Sequence, residues 1–333
     1  MKTKVDGKLI KVNGKNMHIR QMGTGDKTIV YLLGYGEPLP TAENAPLMRM
    51  LAENTTTCLI DYFGYGFSDS TERGHTNENY VQEIREVLAK SDLKPPYVLM
   101  PYSCSGIYAE YYAHKYPDEI EAIIMLDCTS TAEPLDLGHD LLDIEKVTLA
   151  INEWIALGNE VPKIGTTDFE QFCQIHLKSY YETYLADGYT KEDLDVEVLD
   201  MLIGMVEIEI ETPTPEEIEA YYAEYLPLGY TKEELDLLTC IPNHDETLNA
   251  QYKALPENVK EVMALTHKIA DQLPILMFNA PARDNEHQTS IDNHLKRLGN
   301  VKKHIVVDGS DHGTITLYHD LITSEVNEFL AKI

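Results

Sequence analysis

Long apolar runs are missing from this chain. Its longest uninterrupted apolar stretches span a few residues, far short of the ~20 that a bilayer-crossing helix needs. The opening residues, MKTKVDGKLIKVNGKNMHIR, alternate charged and apolar positions and lack the apolar core of a signal peptide. No membrane partner is therefore expected. Basic residues are scarce as well: 27 Lys and Arg stand against 56 Asp and Glu, a net charge of −29. Nucleic-acid binding needs clustered Lys and Arg to neutralise phosphates, so that class is set aside. The five cysteines (Cys58, Cys104, Cys128, Cys173, Cys240) are odd in number and form no C-x-x-C pair. That pattern argues for reduced thiols in a cytoplasmic protein rather than a disulfide framework or a zinc site, and nothing in the sequence asks for a metal or another cofactor.

What is present is enough for a sizeable core. The 333 residues are 43% apolar, which excludes disorder over the whole chain and suits one large domain or a core carrying an insertion. The charge marks where that insertion falls. Residues 131–250 hold 28 acids, five lysines and no arginine, a net charge of −23, while the rest of the chain carries only −6. Such a shift signals a module with its own surface. The expected division is 1–130 and 251–333 for the core and 131–250 for an acidic helical cap. The cap segment contains a duplication: YYETYLADGYTKEDLD (180–195) recurs 41 residues later as YYAEYLPLGYTKEELD (221–236). Each copy ends a tyrosine-bearing helix at Gly188 or Gly229, placed as a C′ glycine. Each restarts at Thr190-x-x-Asp193 or Thr231-x-x-Glu234, a capping-box pattern. A further helix is expected to start at Thr214-Pro215-Glu216-Glu217. VEIEIE (206–211) alternates with period two, the pattern of a short strand.

Outside the acidic segment, Lys8–Val12 and Asn16–Gln21 read as a hairpin turned by Asn13-Gly14. Short apolar runs follow at 28–33, 55–60, 97–100, 122–126, 273–279 and 304–307, with helical spacing between several of them, as in Asn79–Ala89 and Ser105–Lys115. Continuous apolar strands separated by helices predict a mostly parallel sheet buried on both faces, the α/β class.

Between the run at 97–100 and the helix from Ser105 lies Pro101-Tyr102-Ser103-Cys104-Ser105-Gly106. A serine hydroxyl becomes a useful nucleophile only when a base takes its proton and a rigid backbone presents it. In a strand–turn–helix elbow, the residues two before and two after that serine must be small. Centring on Ser103 puts Pro101 and Ser105 at those positions. Centring on Cys104 or Ser105 puts Tyr102 or Ile107 there, so Ser103 is the register that fits.

With DYFGYGFSDS (61–70), which is similar to a D-x-x-G-x-G-x-S-D loop, and AEYYAHKYPDEIEAIIMLD (109–127), this elbow resembles the α/β-hydrolase superfamily over about residues 15–130 and 270–333. The usual elbow, G-x-S-x-G, is departed from at both glycines, here Pro101 and Ser105. The resemblance implies an eight-stranded, mostly parallel sheet with the cap inserted after strand six; the cap is expected as a helical layer over the C-terminal ends of the strands, where open α/β sheets bind ligands. It also implies a triad in the chain order nucleophile, acid, base. His312, in the loop Gly309-Ser310-Asp311-His312-Gly313, is the expected base, ahead of His304 and His319. Asp284, after the run at 273–279, is the expected acid, with Glu286 nearby and Asp127, at the end of strand six, as its competitor. Two backbone N–H donors should hold a tetrahedral oxyanion: that of Cys104, after the nucleophile, and that of Tyr35 in Leu33-Gly34-Tyr35-Gly36.

These residues imply a serine hydrolase acting on an ester of a small or medium, neutral or cationic compound. Two other readings stay open: a prolyl-type aminopeptidase whose cap carboxylates hold the substrate's amine, and a ligand-binding protein without the chemistry. A serine nucleophile sets aside the aspartate-dependent dehalogenases of the same superfold. The sequence leaves the oligomeric state open.

Overall fold

Asn13 and Gly14 both take left-handed backbone angles, φ +51° and +82°, and turn strand β1 (Lys8–Val12) back onto β2 (Lys15–Met22) in register Val12 to Lys15. The computed structural model in which this hairpin opens the fold describes residues 7–333 apart from 38, 136–149, 152, 159–162, 164, 187–189, 192–193, 196–197, 199–214, 239–244 and 266–272. The strand expected at 206–211 lies outside the described residues, as do Gly188, Asp193, Thr214 and Cys240.

After β3 (Thr28–Leu32), helices α1 (Pro40–Glu43) and α2 (Ala45–Leu51) lead to β4 (Thr56–Asp61). Helix α3 (Asn77–Lys90), β5 (Tyr97–Pro101), α4 (Ser105–Lys115) and β6 (Ile120–Leu126) follow. Beyond the acidic segment come β7 (Ile275–Asn279) and β8 (Val301–Val306). All eight strands form one sheet in the order β1-β2-β4-β3-β5-β6-β7-β8. Pairing is antiparallel for β1–β2 and β2–β4 and parallel across the rest. Strands β3, β5 and β7 are buried at every residue, as runs without polar alternation should be when helices cover both faces. The expected α/β-hydrolase sheet is thus observed. Helix α3 starts where the sequence supplies a cap: the Thr76 side chain accepts from the Asn79 N–H, satisfying one of the free amide donors of the first turn.

The described chain divides into two compact units, residues 1–135 with 219–333, and 136–218. The smaller unit contains α5 (Thr167–His176) and α6 (Lys178–Ala186); their Phe169, Phe172, Cys173 and Tyr180, with Leu177 between the helices, share a buried cluster with Ala150, Ile151 and Leu194. Further on lie α7 (Pro215–Tyr225), α8 (Lys232–Leu238) and α9 (Asp245–Ala264). Residues 219–250, expected in the acidic segment, group with the sheet-bearing unit. The reason is specific. Arg20 and Arg49 both reach the Glu234 carboxylate, at 2.7 and 2.5 Å, and the Tyr230 hydroxyl donates to the Glu43 carbonyl at 2.7 Å.

The duplication has a structural counterpart. In the first copy the Tyr181 hydroxyl donates to Asp195, and in the second Tyr222 donates to Asp236, at the same separation of fourteen residues. The second copy also makes the expected capping box, Thr231 N–H to Glu234 and Glu234 N–H to Thr231, after Gly229 at φ +94°. Among the described residues no helix is long and apolar enough to cross a membrane.

Candidate active site

Ser103 sits where β5 ends and α4 begins, at φ +56°, a left-handed conformation rare for a residue with a side chain. Three backbone bonds hold it there. Its N–H donates to Leu126 at 3.1 Å, and its carbonyl accepts from Thr129 at 3.1 Å and Gly106 at 3.2 Å. The small residues around it are required by close packing. Ser105 is fully buried with its hydroxyl donating to the Leu33 carbonyl. A Cβ added to Gly106 would lie 2.6 Å from the Cys128 Cβ. Cys104 heads the helix with ordinary helical angles, φ −60°, so the strained residue of the turn is Ser103.

The loop after β8 brings His312 to this serine. The imidazole Nε2 lies 2.9 Å from Ser103 Oγ, and Nδ1 lies 2.6 Å from an Asp127 carboxylate oxygen. Because an ionised carboxylate only accepts, Nδ1 carries the proton and Nε2 is left to accept from the serine hydroxyl. Tyr102 fixes the ring from the other side. It stacks on His312 with 5.2 Å between centroids and donates its hydroxyl to the His312 carbonyl at 2.6 Å. Of the other two histidines considered, His304 stays on β8 beside Asn279 at 3.0 Å, and His319 is buried at the start of α11 (His319–Leu330).

The expected acid is corrected by this geometry. Asp284 is the N-cap of α10 (Asn285–Leu298), where its carboxylate accepts the His287 N–H at 2.8 Å, and Glu286 lies exposed in the first turn of that helix. Asp127 occupies the place instead. It follows β6 in a left-handed turn, φ +42°, and its second oxygen accepts from the Asn279 side chain and the Ala280 N–H, each at 3.0 Å. Burial opposes its ionisation. The hydrogen bonds from His312, Asn279 and Ala280 outweigh burial and hold its carboxyl below the usual carboxylate range. Asn279 Oδ1 in turn accepts from His304 Nε2 at 3.0 Å, so polar contacts run from His304 through Asn279, Asp127 and His312 to Ser103.

The loop after β3 approaches Ser103 closely. A Cβ on Gly34 would lie 2.7 Å from the Tyr102 ring and 3.2 Å from the Ser103 Cβ, so glycine is what lets this backbone reach the serine. The next residue, Tyr35, is anchored by a hydrogen bond between its hydroxyl and that of Tyr108 and by an edge contact with Tyr252. Tyr102, Asn279 and the buried Glu37 of this loop were not singled out from sequence. An acid set among apolar residues in LGYGEPL was the available signal for Glu37.

A cavity of about 870 Å³ opens on the serine and is lined by Ser103, Asp127 and His312, with Thr129, Arg283, His287 and His294 among its polar walls. Among the described residues no group of three or more His, Cys, Asp or Glu is placed to hold a metal ion.

Comparison with known proteins agrees with the architecture. The sequence pattern of the alpha/beta hydrolase fold matches residues 28–232. The chain is 39% identical over 121 residues to the uncharacterized protein YbdG of Bacillus subtilis, covering 36% of this chain and 37% of that one. It is 26% identical over 117 residues to the 2-(acetamidomethylene)succinate hydrolase of Mesorhizobium japonicum, covering 35% and 41%, so each match spans less than half of the relative. Among solved structures, potato epoxide hydrolase I superposes with a TM-score of 0.62 at 18% identity, over 99% of this chain and all of that one. A putative epoxide hydrolase of Pseudomonas aeruginosa gives 0.56 at 14%, over 98% and 95%. At such identities the likeness is one of fold. With the family pattern spanning well over half of its length, the chain belongs to the alpha/beta hydrolase fold family.

Proposed function

We propose that this protein is a serine hydrolase that cleaves an ester of a small or medium, neutral or cationic compound through an acyl-enzyme. The observation that carries the reading is the unbroken set of contacts Ser103 Oγ–His312 Nε2 and His312 Nδ1–Asp127, at 2.9 and 2.6 Å. As Ser103 Oγ attacks the carbonyl carbon, its proton passes to His312 Nε2, and Asp127, still ionised, stabilises the imidazolium. The oxyanion is held by the N–H groups of Tyr35 and Cys104. Collapse breaks the bond to the leaving alcohol, which takes the proton from Nε2 and departs. Water then gives a proton to the same nitrogen and attacks the acyl carbon; the bond from that carbon to Ser103 Oγ breaks, Oγ takes the proton back from Nε2, and the acid is released.

Chemistry favours this over epoxide opening, the activity named for the structural neighbours. An alkoxide opening an epoxide would leave an ether on Ser103, which water does not cleave at neutral pH, whereas an acyl-serine turns over. The preference for uncharged or cationic substrates rests on the net charge of −29, which disfavours the approach of anions. The test is a panel of acyl esters, aminoacyl amides and an N-acetyl enamine dicarboxylate, run on the wild type and Ser103→Ala. Ester turnover lost in Ser103→Ala supports the reading. Ester turnover that survives in a folded Ser103→Ala, or a panel without any Ser103-dependent hydrolysis, overturns it.

A further inference from the structure

Glu37 is a carboxylate where none is needed for solubility. It is 8% exposed, and among the described residues no Lys or Arg pairs with it. Its two oxygens are met instead by three neutral donors. Asn44 Nδ2 lies at 2.7 Å, the Gly34 N–H at 2.5 Å, and the Tyr31 hydroxyl at 3.1 and 3.4 Å. Tyr31 belongs to β3 and Asn44 stands between α1 and α2, both rigid parts of the core. Gly34 is the residue at which a side chain would run into the Tyr102 ring and the Ser103 Cβ. The carboxylate therefore ties the loop that carries Tyr35 to two fixed points.

We propose that Glu37 is the positioning residue of the oxyanion-binding loop. Its ionised carboxylate, seated on Tyr31 and Asn44, pins the Gly34 N–H and so aims the Tyr35 N–H at the reacting oxygen, and its protonation releases the loop. The inference rests on the acyl-transfer reading given above. An ionised carboxylate offers about four acceptor sites and charge-assisted bonds, whereas a protonated one turns an acceptor into a donor and holds the amide more weakly. The groups facing Glu37 are Tyr31, Glu43, Tyr62, Tyr65, Tyr102, Tyr230 and His312. Burial holds these phenols above their ordinary range, so they stay neutral and leave two carboxyls and one imidazole to exchange protons. Burial pushes Glu37 itself up to about 7, against the hydrogen bonds from Asn44, Gly34 and Tyr31, which brings its release of a proton into the working range of a serine hydrolase.

The experiment is the second-order rate constant for labelling by a neutral fluorophosphonate, measured against pH on the wild type, Glu37→Gln and Tyr31→Phe, with melting curves for each. Two protons must leave for activity, one from His312 and one from Glu37, so the wild-type acid limb should reach a slope of about 2 in log rate against pH. Glu37→Gln should cut the rate at pH ~8 by roughly 10- to 100-fold, less than the ~10²- to 10³-fold cost of removing an oxyanion donor outright because the Tyr35 N–H is only misaimed, and reduce the slope to about 1. Tyr31→Phe removes a donor to the ionised form and should move the limb to higher pH, which keeps the proposal open to test if Glu37→Gln does not fold. A wild-type slope of about 1, an unchanged slope in Glu37→Gln, or an unmoved limb in Tyr31→Phe overturns the role of Glu37 while Ser103 labelling persists. Absence of labelling at Ser103 in the wild type overturns the acyl-transfer reading beneath it.

Discussion

Replacing Asp127 by Asn separates the acid that orients His312 from the one that does not. One Asp127 oxygen accepts from Asn279 and Ala280, each at 3.0 Å, and the other faces His312 Nδ1 at 2.6 Å. In Asp127→Asn the carbonyl oxygen must keep the first position. Turning the amide round would set its NH2 against two buried donors, at ~1–3 kcal/mol for each bond left unmade. The NH2 is thereby forced against Nδ1, which relieves the clash by moving its proton to Nε2. That nitrogen then faces Ser103 Oγ as a donor and has no lone pair to accept the hydroxyl proton. Serine hydrolases lose ~10⁴ in kcat from a wrong tautomer of this kind, equivalent to ~5.5 kcal/mol of barrier. Asp284→Asn should leave kcat close to wild type, because Asn serves as an N-cap as well as Asp does and the Asp284 carboxylate caps the start of its own helix rather than meeting His312. The assay is kcat for the best ester of the panel on both variants, each shown to melt cooperatively near the wild-type temperature. Comparable losses, or a larger loss for Asp284→Asn, would refute the reasoning.

Two other outcomes follow from the same geometry. Gly34→Ala places a methyl 2.7 Å from the Tyr102 ring and 3.2 Å from the Ser103 Cβ; the loop or the elbow must give by several tenths of an ångström, so kcat should fall roughly 10- to 100-fold while circular dichroism stays native, and full activity would show that this loop does not need its close approach. The net charge of −29 should make an ester with a remote anionic group react with lower kcat/KM than its neutral twin, and the gap should narrow as added salt shortens the screening length to ~8 Å at 0.15 M; equal values at low ionic strength would sink the steering idea.

Much of the fold is legible in the sequence because its signals are local. Asn13-Gly14 states its own turn. The central apolar runs state strands buried on both faces, whereas the run at 304–307 belongs to the partly exposed edge strand β8, and the sizes of Pro101 and Ser105 select Ser103 over its neighbours. The acid is different in kind. Asp127 and Asp284 each follow a strand of the same parallel pair, and the one that meets His312 depends on where a loop some 185 residues after Asp127 arrives. The sequence did carry a signal against Asp284. It stands immediately before an amphipathic helix, the place of an N-cap, and a carboxylate spent on helix amides is less available to an imidazole. Glu37 escaped notice for a related reason: its partners Tyr31 and Asn44 flank it at short range, but their convergence on one carboxylate depends on how β3, the loop and α2 pack. The second copy of the repeat was expected in the acidic segment, yet it groups with the sheet through Glu234, whose two arginine partners lie about 200 residues earlier.

The central claim is that Ser103 is the atom that bonds to substrate. Mass spectrometry of the fluorophosphonate-treated protein, followed by peptide mapping, tests it in one measurement. A single stoichiometric adduct on Ser103 is expected, absent in Ser103→Ala and slowed by orders of magnitude in His312→Ala. An adduct on a different residue, such as Ser105, or ester hydrolysis that continues while Ser103 remains unmodified, would contradict it.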